Sequence, residues 1–468
     1  DFRACLRLIM KARSLFPTEE TLAINTDLYE LTMAAAYFEA GCTEDRATFE
    51  LFAPRLPISR RFLITVGLEQ SLHLLENVCF TENTIRFLQS LDPFKSVNSA
   101  FFDYLRDFRF TGDVYALPEG TVCFANEPML QVCAPIIESQ IMETYLINTF
   151  NFQTMVASKA ARVCLAGEGK SIIDFGSRRA HSPQAGVLAA RSAFIGGCAG
   201  TSNVLAGYEM GIPLYGTMAH SYVQFFDSET EAFQNFYQIF GKDSTILVDT
   251  YNTLAGVKKA LALGGPIQGV RLDSGDLLTL ACRTRELLDK HGQSKTRIVA
   301  SGDLDEKKIS SFARAGAPID AYGVGTNLVV SSDAPGCDLV YKLVEVVKEG
   351  EARPKLKTST GKATLPYRKQ VFRCSKQDYF SHDWIGRWNE NPSSQENHFV
   401  PLLHRYVAQG ELVANVPDLV QTRDYAQEQL RWLPDSIKLL DDTTEYPVEI
   451  SPELLRTHKK SDEELIRC

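Results

Sequence analysis

The sequence predicts an α/β fold built on a parallel sheet, and three observations carry that expectation. Between residues 170 and 330 short apolar runs are repeatedly followed by polar or glycine-containing turns. Helix-like stretches follow several of those turns, which is the strand–turn–helix grammar of a parallel sheet. The residues able to do chemistry concentrate just after the apolar runs, at the rim where barrels and open α/β sheets place their sites.

The six runs are KSIIDF leading into GSRRAH, IPLYG into TMAHS, STILV into DTYN, IQGVRL into DSGD, RIVAS into GDLDE, and IDAYGV into GTN. Six such strands in this span predict a barrel or a long open sheet. TLAGVKKALA, LLTLACRTRELLDKH and DEKKISSFARA read as helices, ending at Gly264-Gly265, Gly292 and Gly316. Asp303 with Glu306 has the spacing of an acidic capping box.

Before this region, residues 26–41 read as a helix that Thr26 or Asp27 caps and Gly41 ends. Its apolar residues wrap nearly all round, as in a helix buried on several sides or lying at an interface. RATFELFA, at 46–53, alternates like a strand. Residues 111–134 hold short β segments broken by PEG and NEP, and a long helical stretch follows around 136–166. After 345 the character changes. Residues 347–377 are rich in Lys and Arg and read as a solvated surface, 388–398 as a polar loop, and 417–468 as helical and charged.

Composition narrows the function classes. The chain has 468 residues, 44% of them apolar and 23% charged, with a net charge of −9. That is ordinary globular composition, at odds with a disordered, fibrous or low-complexity chain. The acidic balance argues against a general nucleic-acid binder but leaves room for a local basic pocket. No run is long and apolar enough to read as a membrane span. The opening DFRACLRLIMKARSLF does not have the pattern of a signal peptide. Eleven scattered cysteines, with no CxxC and no zinc spacing, read as reduced, mostly buried thiols of a cytoplasmic protein.

The chemistry-bearing residues are taken strand by strand. GTMAHS places His220 after a strand among small residues, accessible as a base, a metal ligand or a nucleophile toward phosphorus. Asp249, in VDTYN at the next strand tip, is placed to orient that imidazole. In GVRLDSGD, Arg271 offers a planar fork to a carboxylate or phosphate, and Asp273 suits sugar hydroxyls or Mg²⁺. Ser274 and Gly275 can expose backbone N–H groups to an anion; the segment is equally a helix-capping loop with an Arg–Asp ion pair. Gly302 and Asp303 in SGD, and Gly323, Gly325 and Thr326 in GVGT, are candidate anion nests, though most such glycines are turns. DFGSRRAH adds Asp174, Arg178 and Arg179, two cations suited to an anionic substrate or to an interdomain salt bridge. No Walker sequence and no GxGxxG occurs, which disfavours a P-loop ATPase and a standard dinucleotide enzyme.

In this order, TDLYELTMA, FELFAPR, DFGSRRA, SNVLAG, GTMAHS, VDTYN, GVRLDSGD, SGDLDE and GVGTNLV strongly resemble the nicotinate phosphoribosyltransferases, from about residue 25 and most densely up to about 345. The resemblance implies an irregular α/β barrel at 136–345 that carries the active site. It also implies a β-rich α+β N-terminal domain at 25–135 with returning C-terminal elements, and a smaller C-terminal domain at 346–468; residues 1–24 are unplaced. It implies that nicotinate displaces pyrophosphate from phosphoribosyl pyrophosphate, coupled to ATP hydrolysis with Mg²⁺, in a cytoplasmic homodimer with shared sites. It assigns His220 as the histidine that ATP phosphorylates and Asp249 as its orienting carboxylate. Tyr29, Arg178, Thr217, Arg271 and Asp174 fall to nicotinate, Tyr29 from the partner subunit. Asp273, Ser274, Gly275, Gly302, Asp303, Gly323, Gly325 and Thr326 fall to the phosphoribosyl moiety. The rival readings are a nicotinamide or quinolinate phosphoribosyltransferase, a non-catalytic nucleotide-binding descendant and, most remotely, a barrel aldolase.

Overall fold

The structure, a computed structural model, describes residues 17–357, 364–392, 398–441 and 443–458. The opening segment 1–16 lies outside the described residues, as do parts of the basic run and of the polar loop. Six parallel strands form one sheet: β1 (Ser171–Asp174), β2 (Gly200–Thr201), β3 (Thr245–Leu247), β4 (Gly269–Leu272), β5 (Arg297–Ser301) and β6 (Ala321–Val324). Their order is β2-β1-β6-β5-β4-β3. They are nearly continuous apolar runs because helices cover them, as parallel sheets require.

One expected strand is absent. IPLYG contributes only a single bridge, Leu214 to Thr201, and the second strand of the sheet is instead Gly200–Thr201. From that bridge the chain runs on to His220, whose ring meets Thr250 just past β3, the opposite edge. The segment 214–220 thus spans the two edges where a regular barrel would have a hydrogen-bonded strand.

Loop lengths at the rim are set by caps. Asn203, Asn252, Asp276 and Asp305 each accept a backbone N–H of the helix that follows β2, β3, β4 and β5, each worth ~1 kcal/mol. Asp305 therefore caps the helix Glu306–Arg314, and the Asp303–Glu306 capping box is not formed. Behind the sheet runs the long helix Glu143–Ala166, packed on Pro183–Ile195. Small residues make that contact: a Cβ at Gly196 would lie 2.4 Å from the Ala157 carbonyl oxygen.

A second, antiparallel sheet of seven strands centres on Pro128–Pro135, which pairs with Arg46–Phe52; that strand pairs in turn with Val340–Lys348, and His404–Ala408 joins toward the other side. Six of the seven residues of Arg46–Phe52 are buried, so both its faces are covered despite the alternating sequence. The basic run after 345 is not simply a solvated surface. Lys369 is buried with its Nζ 2.7 Å from Glu50, and Arg373 is buried against Asp383. Arg368 lies between the Tyr115 and Trp388 rings, 3.7 and 3.6 Å from their centroids. The C-terminal stretch contains, besides helices, a strand at Val448–Ile450 beside Tyr379–Arg387. The nine described cysteines are all free, with Cys282 exposed. Among the described residues no helix is long and apolar enough to cross a membrane.

Candidate active site

A cavity of about 460 Å³ opens at the C-terminal ends of the parallel strands. Five residues singled out in the sequence line it: Arg178, Thr217, His220, Arg271 and Asp273. Phe175, Ser202, Met218 and Leu247 join them.

Arg271 is the most constrained. It is the penultimate residue of β4, and its Nε donates to Ser301 Oγ at 2.8 Å. Nη1 donates to Thr217 Oγ1 at 3.1 Å, and Nη2 to Asp273 Oδ1 at 2.7 Å. Its guanidinium carbon stands 5.5 Å from the centre of the Phe175 ring. Asp273 accepts also from Ser301 Oγ. Burial opposes its charge, but the Ser301 hydrogen bond, Arg271 and then His220 outweigh burial and hold the carboxyl below its usual range. Arg178 follows β1 in a short 3₁₀ turn, exposed at the cavity edge with no ion-pair partner among the described residues.

His220 does not end a strand; it opens the short helix His220–Phe225 after an extended approach. Its Nδ1 lies 3.1 Å from Thr250 Oγ1, and its Nε2 is 3.6 Å from Asp273 Oδ2. The expected pairing with Asp249 is not made. Asp249 Oδ2 instead accepts from the Asp273 backbone N–H at 2.8 Å and from Ser274 Oγ at 2.9 Å, while its buried Oδ1 has no hydrogen-bond partner among the described residues. Those two donors turn the carboxylate toward the β4 loop, and Thr250 occupies the place beside the imidazole.

Asp174 also departs from expectation. It is fully buried, and its oxygens accept from Gly176 N at 2.8 Å and Thr201 Oγ1 at 2.7 Å. Both oxygens are engaged in tying β1 to β2, so it shapes the rim and does not face the cavity. Gly323 lies within β6, where a Cβ would meet the Phe175 ring at 2.3 Å; it is a close-packing glycine and not part of a nest. Ser274, Gly275, Gly302, Asp303, Gly325 and Thr326 stand on the same rim but do not line this cavity. Tyr29 lies on the helix Leu28–Glu39, 44% exposed, and does not line the cavity.

Sequence reasoning passed over Phe175, Ser301 and Thr250. An aromatic between Asp174 and Gly176 in an otherwise polar turn was a legible sign for Phe175. Ser301 and Thr250 carried no such sign, because small hydroxyl residues are common at strand ends.

Family models cover most of the chain. Those described as the nicotinate phosphoribosyltransferase N-terminal domain, family and C-terminal domain match residues 24–151, 170–364 and 374–458. The nicotinate phosphoribosyltransferase pncB2 of Mycobacterium tuberculosis is 43% identical over 441 residues, covering 92% of each chain. The nicotinate phosphoribosyltransferase of Bacillus subtilis is 36% identical over 92% of this chain and 94% of its own. Among solved structures, human nicotinic acid phosphoribosyltransferase superposes with a TM-score of 0.81 at 29% identity, over 93% of this chain and 99% of its own. A nicotinate-nucleotide pyrophosphorylase from Pyrococcus furiosus gives 0.73 at 27% identity, over 90% and 98%.

Proposed function

The chain belongs to the nicotinate phosphoribosyltransferase family, and from that premise we propose that it joins nicotinate to phosphoribosyl pyrophosphate, giving nicotinate mononucleotide and pyrophosphate with ATP hydrolysis coupled to the step. The observation that carries the choice of acid is Arg271, fixed at the cavity by Thr217, Ser301 and Asp273, with Arg178, unpaired among the described residues, at the same cavity. A carboxylate gains from the Arg178 cation and from the Nη2 N–H that Asp273 leaves free on Arg271, whereas an amide needs no cation. The Phe175 ring offers a flat apolar surface to a pyridine.

In the reaction the ring nitrogen forms a bond to the ribosyl carbon as the bond from that carbon to the pyrophosphate oxygen breaks. Charge gathers on the departing pyrophosphate, so the donors that matter stand at that end. The backbone amides around Gly302 and Gly325, with Thr326, are our assignment for it, and Asp273 for ribose hydroxyls. Mg²⁺ fits the donor set: Asp249 Oδ1 is buried without a partner, and a hard cation takes such carboxylate oxygens together with substrate phosphates. Asp249 and Asp273 would hold it, and when bound it supplies charge neutralisation to the leaving group.

His220 is assigned to the ATP step. Thr250 at Nδ1 leaves Nε2 without a hydrogen bond, so Nε2 attacks the γ-phosphorus, the bond to ADP breaks, and the phosphoryl group later passes to water. The same reading takes the protein as a homodimer. Exposed apolar side chains such as Tyr29, Val204, Leu205, Tyr208 and Leu214 support a partner surface, from which the partner's Tyr29 would reach the site.

The test is release of pyrophosphate and ADP with phosphoribosyl pyrophosphate, nicotinate and nicotinamide being tried separately, with and without ATP. Nicotinate-dependent pyrophosphate release, stimulated by ATP and accompanied by ADP, is expected. Preference for nicotinamide, or no turnover with either, would overturn the reading.

A further inference from the structure

Beneath the rim, away from the cavity, five charged side chains are joined in one cluster. Lys159, on the helix Glu143–Ala166, is 1% exposed. Its Nζ donates to Glu306 and, at 2.8 Å, to Asp333 Oδ1. Arg162 Nε reaches Glu306 Oε1 at 3.3 Å. Arg60 donates to Asp333 Oδ1 at 3.2 Å and to Ser331 Oγ at 2.8 Å. Three cations thus face two carboxylates, leaving one positive charge in excess.

The two carboxylates belong to two different rim loops. Glu306 opens the helix that follows Ser301-Gly302-Asp303, and Asp333 lies just past the turn that begins at Gly325-Thr326. Asn327 Nδ2 donates to the Leu304 carbonyl at 3.0 Å, joining the loops directly. Each loop contains a non-glycine residue in the left-handed region, Asp303 at φ 47° and Ser331 at φ 44°. Such backbone persists only where its surroundings over-determine it. Stability alone does not call for the cluster, because apolar replacements of buried ion pairs are often as stable.

We propose that Lys159 is the positioning residue of the loops that hold the phosphoribosyl co-substrate. By gripping Glu306 and Asp333 at once it sets the spacing between the Gly302 and Gly325 amides. The proposal deepens the reading above and rests on it for the identity of the co-substrate; the anion site itself is tested without turnover.

The experiment uses the full chain, with inorganic pyrophosphate binding by calorimetry beside steady-state kinetics for both substrates. In Lys159→Met, pyrophosphate binding weakens and the KM for phosphoribosyl pyrophosphate rises, each by about tenfold or more, while the KM for nicotinate stays within about twofold. Lys159→Arg, which keeps the charge, recovers most of the loss. Should Lys159→Met fail to fold, Arg162→Gln removes the outer cation and gives a smaller loss in the same direction. Unchanged pyrophosphate affinity in the folded variants, an equal rise in both KM values, or a wild type that does not bind pyrophosphate overturns the proposal. A wild type that binds pyrophosphate but turns over no nicotinate overturns the reaction alone, and the variant comparison still decides the role of Lys159.

Discussion

Arg271 and Asp273, two residues apart at the end of one strand, are locked together, Nη2 of the first donating to Oδ1 of the second at 2.7 Å. With Ser301 and Thr217 on its other nitrogens, the guanidinium is oriented before any ligand arrives. Little ordering is then left for binding, which favours affinity. Arg271→Ala is expected to raise the KM for nicotinate by about 10- to 100-fold, more than His220→Ala does. Arg271→Lys should not restore it, because a compact ammonium cannot serve three partners in a plane. A KM for nicotinate unchanged in Arg271→Ala would place the carboxylate elsewhere.

The imidazole of His220 touches Thr250 and faces Asp273, and in the proposed mechanism neither contact falls to nicotinate. His220→Ala is therefore expected to abolish ATP stimulation and ADP release while slow, uncoupled transfer continues. Parallel assays of ADP and pyrophosphate read the two processes separately. Full ATP stimulation in the variant would remove His220 from the coupling step.

The parallel sheet was legible because five of its six strands are short apolar runs closed by turns, and the polar residues of those turns sit where the strand ends converge; Gly200–Thr201, two small residues, gave no such signal. Arg271, Arg178 and Asp273 meet at one cavity for that reason, whereas Thr217 and His220 reach it on the segment 214–220 that crosses between the sheet edges. What was not legible was which way each polar group turns. Asp249 and Asp174 both follow strands in the expected way, yet local donors claim them: Ser274 and the Asp273 amide for one, Thr201 and the Gly176 amide for the other. Lys369 and Arg373 sat in a basic run that read as solvated surface. Their partners Glu50 and Asp383 are far enough along the chain, or across the sheet, that charge patterning alone could not pair them.

Glu30 gives the protein a pH-dependent weak point. It is fully buried on the helix Leu28–Glu39, and burial, outweighing the hydrogen bonds from Thr144, pushes its carboxyl up to about 7. A carboxyl raised on folding binds its proton more tightly in the folded state. Its contribution to stability is therefore greatest below the unfolded value, about 4.3, and is lost as pH rises through about 7. Glu30→Gln keeps an acceptor for Thr144 and removes the charge. It should be more stable than wild type near pH 8, by at most about 3 kcal/mol, and nearly equal to it near pH 4. Urea unfolding at the two pH values decides it, and a difference independent of pH would show that Glu30 does not titrate in this window.

Gly302 lies at φ 98°, and a Cβ there would be 1.9 Å from the carbonyl oxygen of Asp273. The clash is with backbone, so no rotamer relieves it; either the Gly302 loop or the end of β4 must move. Asp273 is where that movement does harm. Its N–H is held by Asp249, and its carboxylate meets Arg271 and Ser301, so a shift passes to three rim residues at once. Gly302→Ala is expected to lower kcat/KM by about 100-fold, the scale of a 1 Å misplacement in an active site. The control is Gly292→Ala. Gly292 has a similar backbone, φ 74°, but nothing lies within 4 Å of its Cβ. It carries the conformational cost, about 1–2 kcal/mol, without the contact. Both variants should therefore lose stability, and only Gly302→Ala should lose activity. Equal kinetics in the two would mean that the approach of Gly302 to Asp273 serves folding and not the site.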